Sequence, residues 1–249
     1  MPAVFVHGSP ETRGVWSALR SHLDRSDTVA LSLPGFGCPR PEGFLSTKDE
    51  YVDWLATELE RLGDPIDLVG HDWGGLLTAR LACLRGDLLR SWASDLLAFL
   101  DERYEWHERA RIYQTPGAGE EALRSRLAAR VEDVAIGYQT LGGGDPLSRD
   151  VALMTAGWMD PTMADSMLAL YRSAVDIPDI WRPELELIVT PGLSIHATAD
   201  PFVNEDFERR VAEQVGARRV RLEGLGHWWM LQDPIQGARV LEEFWQSLG

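Results

Sequence analysis

The run Ile66-Asp67-Leu68-Val69-Gly70-His71-Asp72-Trp73-Gly74-Gly75 carries the reading of the whole chain. A short apolar segment ends at Gly70, a carboxylate stands two residues on, and paired glycines open a helical pattern beginning Leu76-Leu77-Thr78-Ala79-Arg80-Leu81. That order predicts a strand, a sharp turn and a helix. Glycine suits both flanks of such a turn, because side chains there would strike the strand or the helix. A carboxylate at the apex is already ionised at neutral pH, so Asp72 can displace a leaving group from saturated carbon directly. The product would be an ester on Asp72, cleaved afterwards by an activated water. The plainer reading of Asp72 is a helix N-cap in an ordinary turn.

The frame Gly70-x-Asp72-x-Gly74 resembles the nucleophile turn of α/β-hydrolases, with aspartate in place of serine. Gly70-His71-Asp72-Trp73-Gly74-Gly75 is similar in particular to the epoxide hydrolases and haloalkane dehalogenases of that superfamily. The resemblance implies an α/β-hydrolase fold: a mainly parallel sheet flanked by helices, with an inserted helical cap. It also implies an enzyme that needs no metal or organic cofactor, and no cluster with metal-ligand spacing is visible in the sequence.

Composition is compatible with this. The 249 residues suffice for one sizeable domain with an inserted subdomain. No run approaches the ~20 apolar residues of a membrane span, and the N-terminal residues lack the regions of a signal peptide, so a cytoplasmic location is expected. Cys38 and Cys83 stand apart without metal-like spacing and are expected to be reduced. A net charge of -15 argues against nucleic acid and anionic membrane as partners.

Around the central stretch, Ala3-Val4-Phe5-Val6 reads as a buried strand and Thr28–Leu33 as the next, stopped by Pro34-Gly35. Thr47 caps a helix running to Gly63. After the nucleophile helix, Leu88–Asp95 reads as a strand, the sheet resumes with the stretch Gly192–Pro201, and Arg219–Leu222 is a further strand, with helices between and after them. Strands alternating with helices indicate a minimal, mainly parallel sheet. From residue 99 to 183 strands vanish, and helical segments are broken by Pro116-Gly117, Gly142-Gly143-Gly144 and Asp160-Pro161. The expected division is therefore a hydrolase core at 1–98 and 184–249 and a helical cap, or lid, at 99–183.

A hydrolase of this kind takes its nucleophile, acid and histidine in that chain order. Asp200, in Ala199-Asp200-Pro201, and His227, in Gly226-His227-Trp228-Trp229, fill the later places. His227 would deprotonate the water and Asp200 would orient the imidazole. Taken singly, Asp200 is also an Asp-Pro turn and His227 a helix N-terminal contact. Asp95, near the end of the strand after the nucleophile helix, is the alternative acid. His7-Gly8-Ser9-Pro10-Glu11 resembles the epoxide hydrolase oxyanion loop, with serine where an aromatic residue is usual there and asparagine is common in dehalogenases. The backbone N–H groups of Ser9 and Trp73 are the implied oxyanion donors, and His7 is expected to be structural.

Two cap segments resemble epoxide hydrolase motifs. In Ile112-Tyr113-Gln114-Thr115-Pro116-Gly117 the family's usual donor tyrosine aligns with Ile112, and Tyr113 falls on its neighbour. In Leu170-Tyr171-Arg172 the tyrosine matches. Tyr171 and Tyr113 are thus the candidates to bind the leaving oxygen, with Trp106, Trp158 and Trp181 as other possible donors, and both tyrosines could instead merely pack beneath the lid. The expected activity is opening of an epoxide to a vicinal diol. Haloalkane dehalogenation by the same ester chemistry and a binding protein without turnover are the alternatives. Because Trp73 and Leu76, not arginines, flank the nucleophile, the expected substrate is small, neutral and apolar or aromatic.

Overall fold

A computed structural model describes residues 1–63 and 65–249. Six strands form one sheet in the order β2-β1-β3-β4-β5-β6, every adjacent pair parallel. They are β1 Ala3–Val6, β2 Thr28–Leu31, β3 Ile66–Gly70, β4 Leu89–Ser94, β5 Gly192–Ala197 and β6 Arg218–Leu222. The strand order reverses at β1, which lies between β2 and β3. In parallel sheets of this kind the crevice outside the carboxyl ends of the strands is where ligands bind.

Both faces of the sheet are covered at its centre, where β1 and β3 are buried along their whole length. Along β1 the side chains alternate: Val4 and Val6 enter one core with Leu68, Trp73, Leu76 and Trp92, while Ala3 and Phe5 enter the other with Trp16, Val69, Ile195 and Trp229. On the first side pack α1 Lys48–Leu62 and α2 Trp73–Leu84. Thr47 closes a capping box with Glu50 at the start of α1, and Gly63 ends the helix in the left-handed region. On the other face lie helical turns at Arg13–Arg20 and the last long helix, Pro234–Gln246.

Between β4 and β5 the chain forms no strand among the described residues. It runs through α3 Glu108–Gln114, α4 Ala118–Ala128, α5 Val131–Leu141, α6 Arg149–Ala156, α7 Pro161–Arg172 and α8 Ile177–Trp181. After β5 comes α9, Glu205–Gln214. For β1, β2, β3, β4 and β6 the sequence boundaries differ from the observed ones by two residues at most, the ends being where pairing frays, and within the stretch 192–201 the strand β5 stops at Ala197. Cys38 and Cys83 are free thiols. No described helix is long and apolar enough to cross a membrane.

Candidate active site

β3 ends at Gly70, and α2 begins at Trp73, so the chain must reverse over His71 and Asp72. Asp72 does so at φ 51° and ψ −121°, left-handed backbone that an L-residue other than glycine rarely adopts. Both flanking glycines are sterically required. A Cβ at Gly70 would lie 2.2 Å from the carbonyl oxygen of Gly74, and one at Gly74 2.3 Å from that of Val6. The Asp72 side chain makes no capping hydrogen bond to α2. It points instead toward the loop after β1, where the Ser9 N–H donates to its Oδ2 at 2.8 Å. Burial pushes the Asp72 carboxyl up to about 6, against the pull of His227 and His71.

The other side chains arrive from the ends of β5 and β6. Asp200 is held by the Phe202 N–H on Oδ1 at 2.8 Å and meets His227 Nδ1 with Oδ2 at 2.8 Å. That contact aims the opposite nitrogen, Nε2, at Asp72 Oδ1, 4.0 Å away. The separation exceeds a direct hydrogen bond and admits a water touching both groups. Burial opposes a charge on His227, but the Asp200 carboxylate outweighs it and raises the imidazole above its ordinary value.

Asp95 does something different. Its Oδ1 accepts the Asp72 backbone N–H at 2.9 Å, and its Oδ2 meets Trp229 Nε1 at 2.7 Å and His71 Nδ1 at 2.5 Å. The other His71 nitrogen faces Glu11 Oε1 at 3.1 Å, and Glu11 also accepts from Trp228 Nε1 at 2.6 Å and Gly8 N at 3.0 Å. Two buried carboxylates thus tie the elbow, the loop after β1 and the loop after β6 together through His71. Burial works against charging any of them, but their mutual attraction prevails: His71 is raised well above its usual range and Glu11 is lowered to about 2. Glu11, His71 and His227 are also the metal-ligating side chains that come within reach of one another among the described residues. The ring nitrogens of His71 are both already engaged by carboxylates.

His7 is fully buried, accepts the Leu33 N–H on Nε2 at 3.1 Å, and is lowered to about 4 by desolvation, as suits a structural residue of the loop. Among the described residues Ser9 is the engaged backbone donor to Asp72; the Trp73 N–H makes no bond to that carboxylate. The Trp73 ring packs edge-on against Tyr171 at 5.2 Å and stacks on Trp106 at 5.9 Å.

A cavity of about 370 Å³ opens above Asp72, lined by Ser9, His227, Tyr171, Tyr113 and Phe99, and also by Arg109, Arg126 and Met159. The rings of Tyr113 and Tyr171 meet edge-on, with centroids 5.3 Å apart. Ile112, aligned with the family's usual tyrosine, instead faces solvent at 37 % exposure. Trp106, Trp158 and Trp181 are not among the residues lining the cavity. Trp106 spends its N–H on the Val175 carbonyl at 3.2 Å, and Trp181 is buried beneath the Lys48 and Arg80 cations.

Sequence reasoning missed several contributors. The Glu11–His71–Asp95 bridge joins residues up to 84 positions apart, although Glu11 and His71 stood in motifs already singled out. His107, Arg109 and Arg126 also line the cavity. The i, i+4 spacing of Arg109 and Tyr113 was the one available signal, since it places both on a single helix face.

A family model described as alpha/beta hydrolase family matches residues 3–239. Among solved structures, a mutant of a proposed epoxide hydrolase from Pseudomonas aeruginosa superposes with a TM-score of 0.81 at 18% identity, covering 99% of this chain and 89% of that one. A haloalkane dehalogenase variant from Bradyrhizobium elkanii gives 0.73 at 19% identity, over 99% and 90%. The (E)-2-((N-methylformamido)methylene)succinate hydrolase of Acinetobacter baylyi is 21% identical over 218 residues, 86% of this chain and 78% of that protein. With the parallel sheet, the strained elbow and the family match in agreement, the chain belongs to the alpha/beta hydrolase family.

Proposed function

We propose that this hydrolase opens an epoxide to a vicinal diol through an ester on Asp72, acting in the cytoplasm on a small substrate without a cofactor. One Asp72 oxygen attacks an epoxide carbon as that carbon's bond to oxygen breaks. The departing alkoxide takes a proton from Tyr171, with Tyr113 as the second hydroxyl. Burial keeps the Tyr171 phenol protonated, well above its ordinary range. His227 then removes a proton from the water that attacks the ester carbonyl carbon, while Asp200 holds the imidazole and stabilises its cation. The acyl C–O bond breaks, the departing diol oxygen takes the proton left on the carboxyl so that Asp72 returns as a carboxylate, and the imidazolium proton restores the Tyr171 phenol. Charge developing on the carbonyl oxygen falls to the Ser9 N–H, with the Trp73 N–H as the second donor. Helices of the 99–183 segment roof the cavity, act as a lid and limit water during the first step.

The observation that carries the reading is that Tyr171 and Tyr113 line the same cavity as Asp72 with their rings in contact. A leaving alkoxide wants an O–H donor, whereas a halide is served by weaker N–H donors. The cap indole that stacks on Trp73, Trp106, has its N–H committed to Val175. The solved relatives include proteins named for both chemistries, at identities that speak to the fold alone.

The test is the intact mass of a His227→Gln variant exposed to aryl and alkyl epoxides and, separately, to bromoalkanes. Without its base the ester accumulates. A mass gain equal to the whole epoxide, mapped to Asp72, supports ring opening. A gain equal to the alkyl group without bromine would replace it with dehalogenation, and no adduct beside an inactive wild type would favour a binding protein.

A further inference from the structure

Burial divides the charged lining of the cavity into two groups. Asp72 and His227 are buried and mark its inner part, whereas Arg109 and Asp133 are exposed and Arg126 half-buried, marking its outer part. In a chain of net charge -15, arginines have acids close at hand, and most are paired. Arg124 and Arg130, which flank Arg126 in sequence, pair with Glu121 and Glu132. Arg109 and Arg126 make no ion pair among the described residues. Arg126 is nonetheless built in: its Nη2 donates to the Ala156 carbonyl at 2.6 Å, and its guanidinium lies 5.8 Å from the Tyr138 ring centroid. Tyr138 in turn stacks on Trp228 at 5.3 Å. Arg109 shares a face of α3 with Tyr113, one turn on, and burial raises the Tyr113 phenol against the opposing charges of both arginines.

We infer that the outer end of the cavity is a carboxylate-binding site, in which Arg109 and Arg126 pair with an acid group on the arm of the substrate remote from Asp72. Guanidinium groups present forked donors that match the two oxygens of a carboxylate. Partial enclosure strengthens the pair relative to open water. The arrangement also orients the substrate, since a carboxylate at the inner end would meet the Asp72 charge. Phe99, Met159 and Leu141 line the same cavity and suit an apolar spacer. The expectation of a wholly neutral substrate came from the residues beside the nucleophile; here the cations arrive from helices far along the chain. The orienting role rests on Asp72 being the reacting group, but the binding site itself does not.

Binding is therefore measured apart from turnover. Phenylacetate, phenylbutanoate and phenylhexanoate are titrated against the corresponding amides by tryptophan fluorescence, in the wild type, Arg109→Gln, Arg126→Gln and the double variant. The wild type is expected to bind its best acid about tenfold more tightly than the matching amide, a preference weakened by salt. Each single variant should lose part of the preference and the double variant all of it, while amide affinity stays constant and reports an intact cavity. Arg126→Lys should keep part. Equal binding of acid and amide by the wild type, no binding of either, or a preference surviving in the double variant would overturn the inference. In a second arm, kcat/KM is compared for an aryl epoxide bearing a remote carboxylate and for its methyl ester. If neither is opened and no Asp72 adduct forms while the acid preference persists, the epoxide reading fails and the carboxylate site stands. If the ester is opened and the acid is not favoured, the carboxylate site fails and the epoxide reading stands.

Discussion

Gly143→Ala is expected to disable the enzyme from outside the catalytic set. Gly142-Gly143-Gly144 ends α5 by wedging between the two loops that carry Asp200 and His227. The Gly142 carbonyl accepts the His227 N–H at 2.7 Å, and the Gly143 carbonyl accepts from Gln232 Nε2 at 2.9 Å. Gly143 has φ +72°, and a Cβ there would lie 1.9 Å from the Ala199 carbonyl oxygen, next to Asp200. Ordinary contact begins at 3.4 Å, so backbone on one side must yield by about 1.5 Å. The 2.8 Å contact between Asp200 and His227 does not survive a shift of that size unchanged. Left-handed backbone costs alanine roughly 1–2 kcal/mol, and overpacking adds about 1–3 kcal/mol. Misplacement by about 1 Å costs about 10²-fold in rate, near 2.7 kcal/mol. The assay pairs kcat/KM on the best epoxide with thermal unfolding and intact mass during turnover. On the proposed mechanism the displaced loops serve ester hydrolysis, so the Asp72 adduct should build up in the variant as it turns over slowly. A folded Gly143→Ala protein with wild-type kcat/KM would refute the claim that this wedge sets the geometry of Asp200 and His227.

Four further outcomes are expected. Asp72 has a folded value of about 6 against an ordinary 3.8, so its ionised form costs stability at neutral pH and protonation relieves that cost as pH falls through 6. Asp72→Asn should therefore raise unfolding free energy by about 1–3 kcal/mol at pH 7, with the gain shrinking toward pH 4; denaturant melts at both pH values check this, and a pH-independent difference would contradict it. The same titration predicts that ester formation by the wild type falls as pH drops through about 6, read by single-turnover kinetics. Asp200→Asn should slow ester hydrolysis at least about 10²-fold with the adduct accumulating, whereas Asp95→Asn, which unties Asp72 N, Trp229 and His71, should lower stability as well; intact turnover in Asp200→Asn would reverse the two roles. Tyr171→Phe should lower epoxide kcat/KM by about 10²-fold through loss of its proton donor and leave binding of an unreactive amide unchanged, and unaltered kinetics would remove it from the mechanism.

Most of the fold was legible because it rests on local patterns. Apolar runs ending in glycine marked β1 and β3, Thr47 with Glu50 marked the start of α1, and Gly70 and Gly74 around Asp72 marked the elbow, since backbone geometry there excludes side chains. Asp200 and His227 were named as candidates by chain order and by the turns they occupy, and they lie 2.8 Å apart with His227 facing Asp72. What the sequence could not determine depends on how distant segments meet. The alignment in α3 pointed to Ile112 as the place of the missing tyrosine, yet the rotation of that helix turns Tyr113 into the cavity and Ile112 toward solvent; a single step of about 100° per residue separates the two, and only packing sets the phase. Asp95 could be named as a possible acid, but its bonds to Asp72 N, Trp229 and His71 exist only once β4 lies beside β3 and the loop after β6 folds back over both. The triple glycine read as a helix breaker, and its close approach to Ala199 and His227 emerged with the tertiary structure. The turn chemistry of each residue is written in its neighbours along the chain, whereas hydrogen bonds, charge and cavity walls depend on neighbours in space.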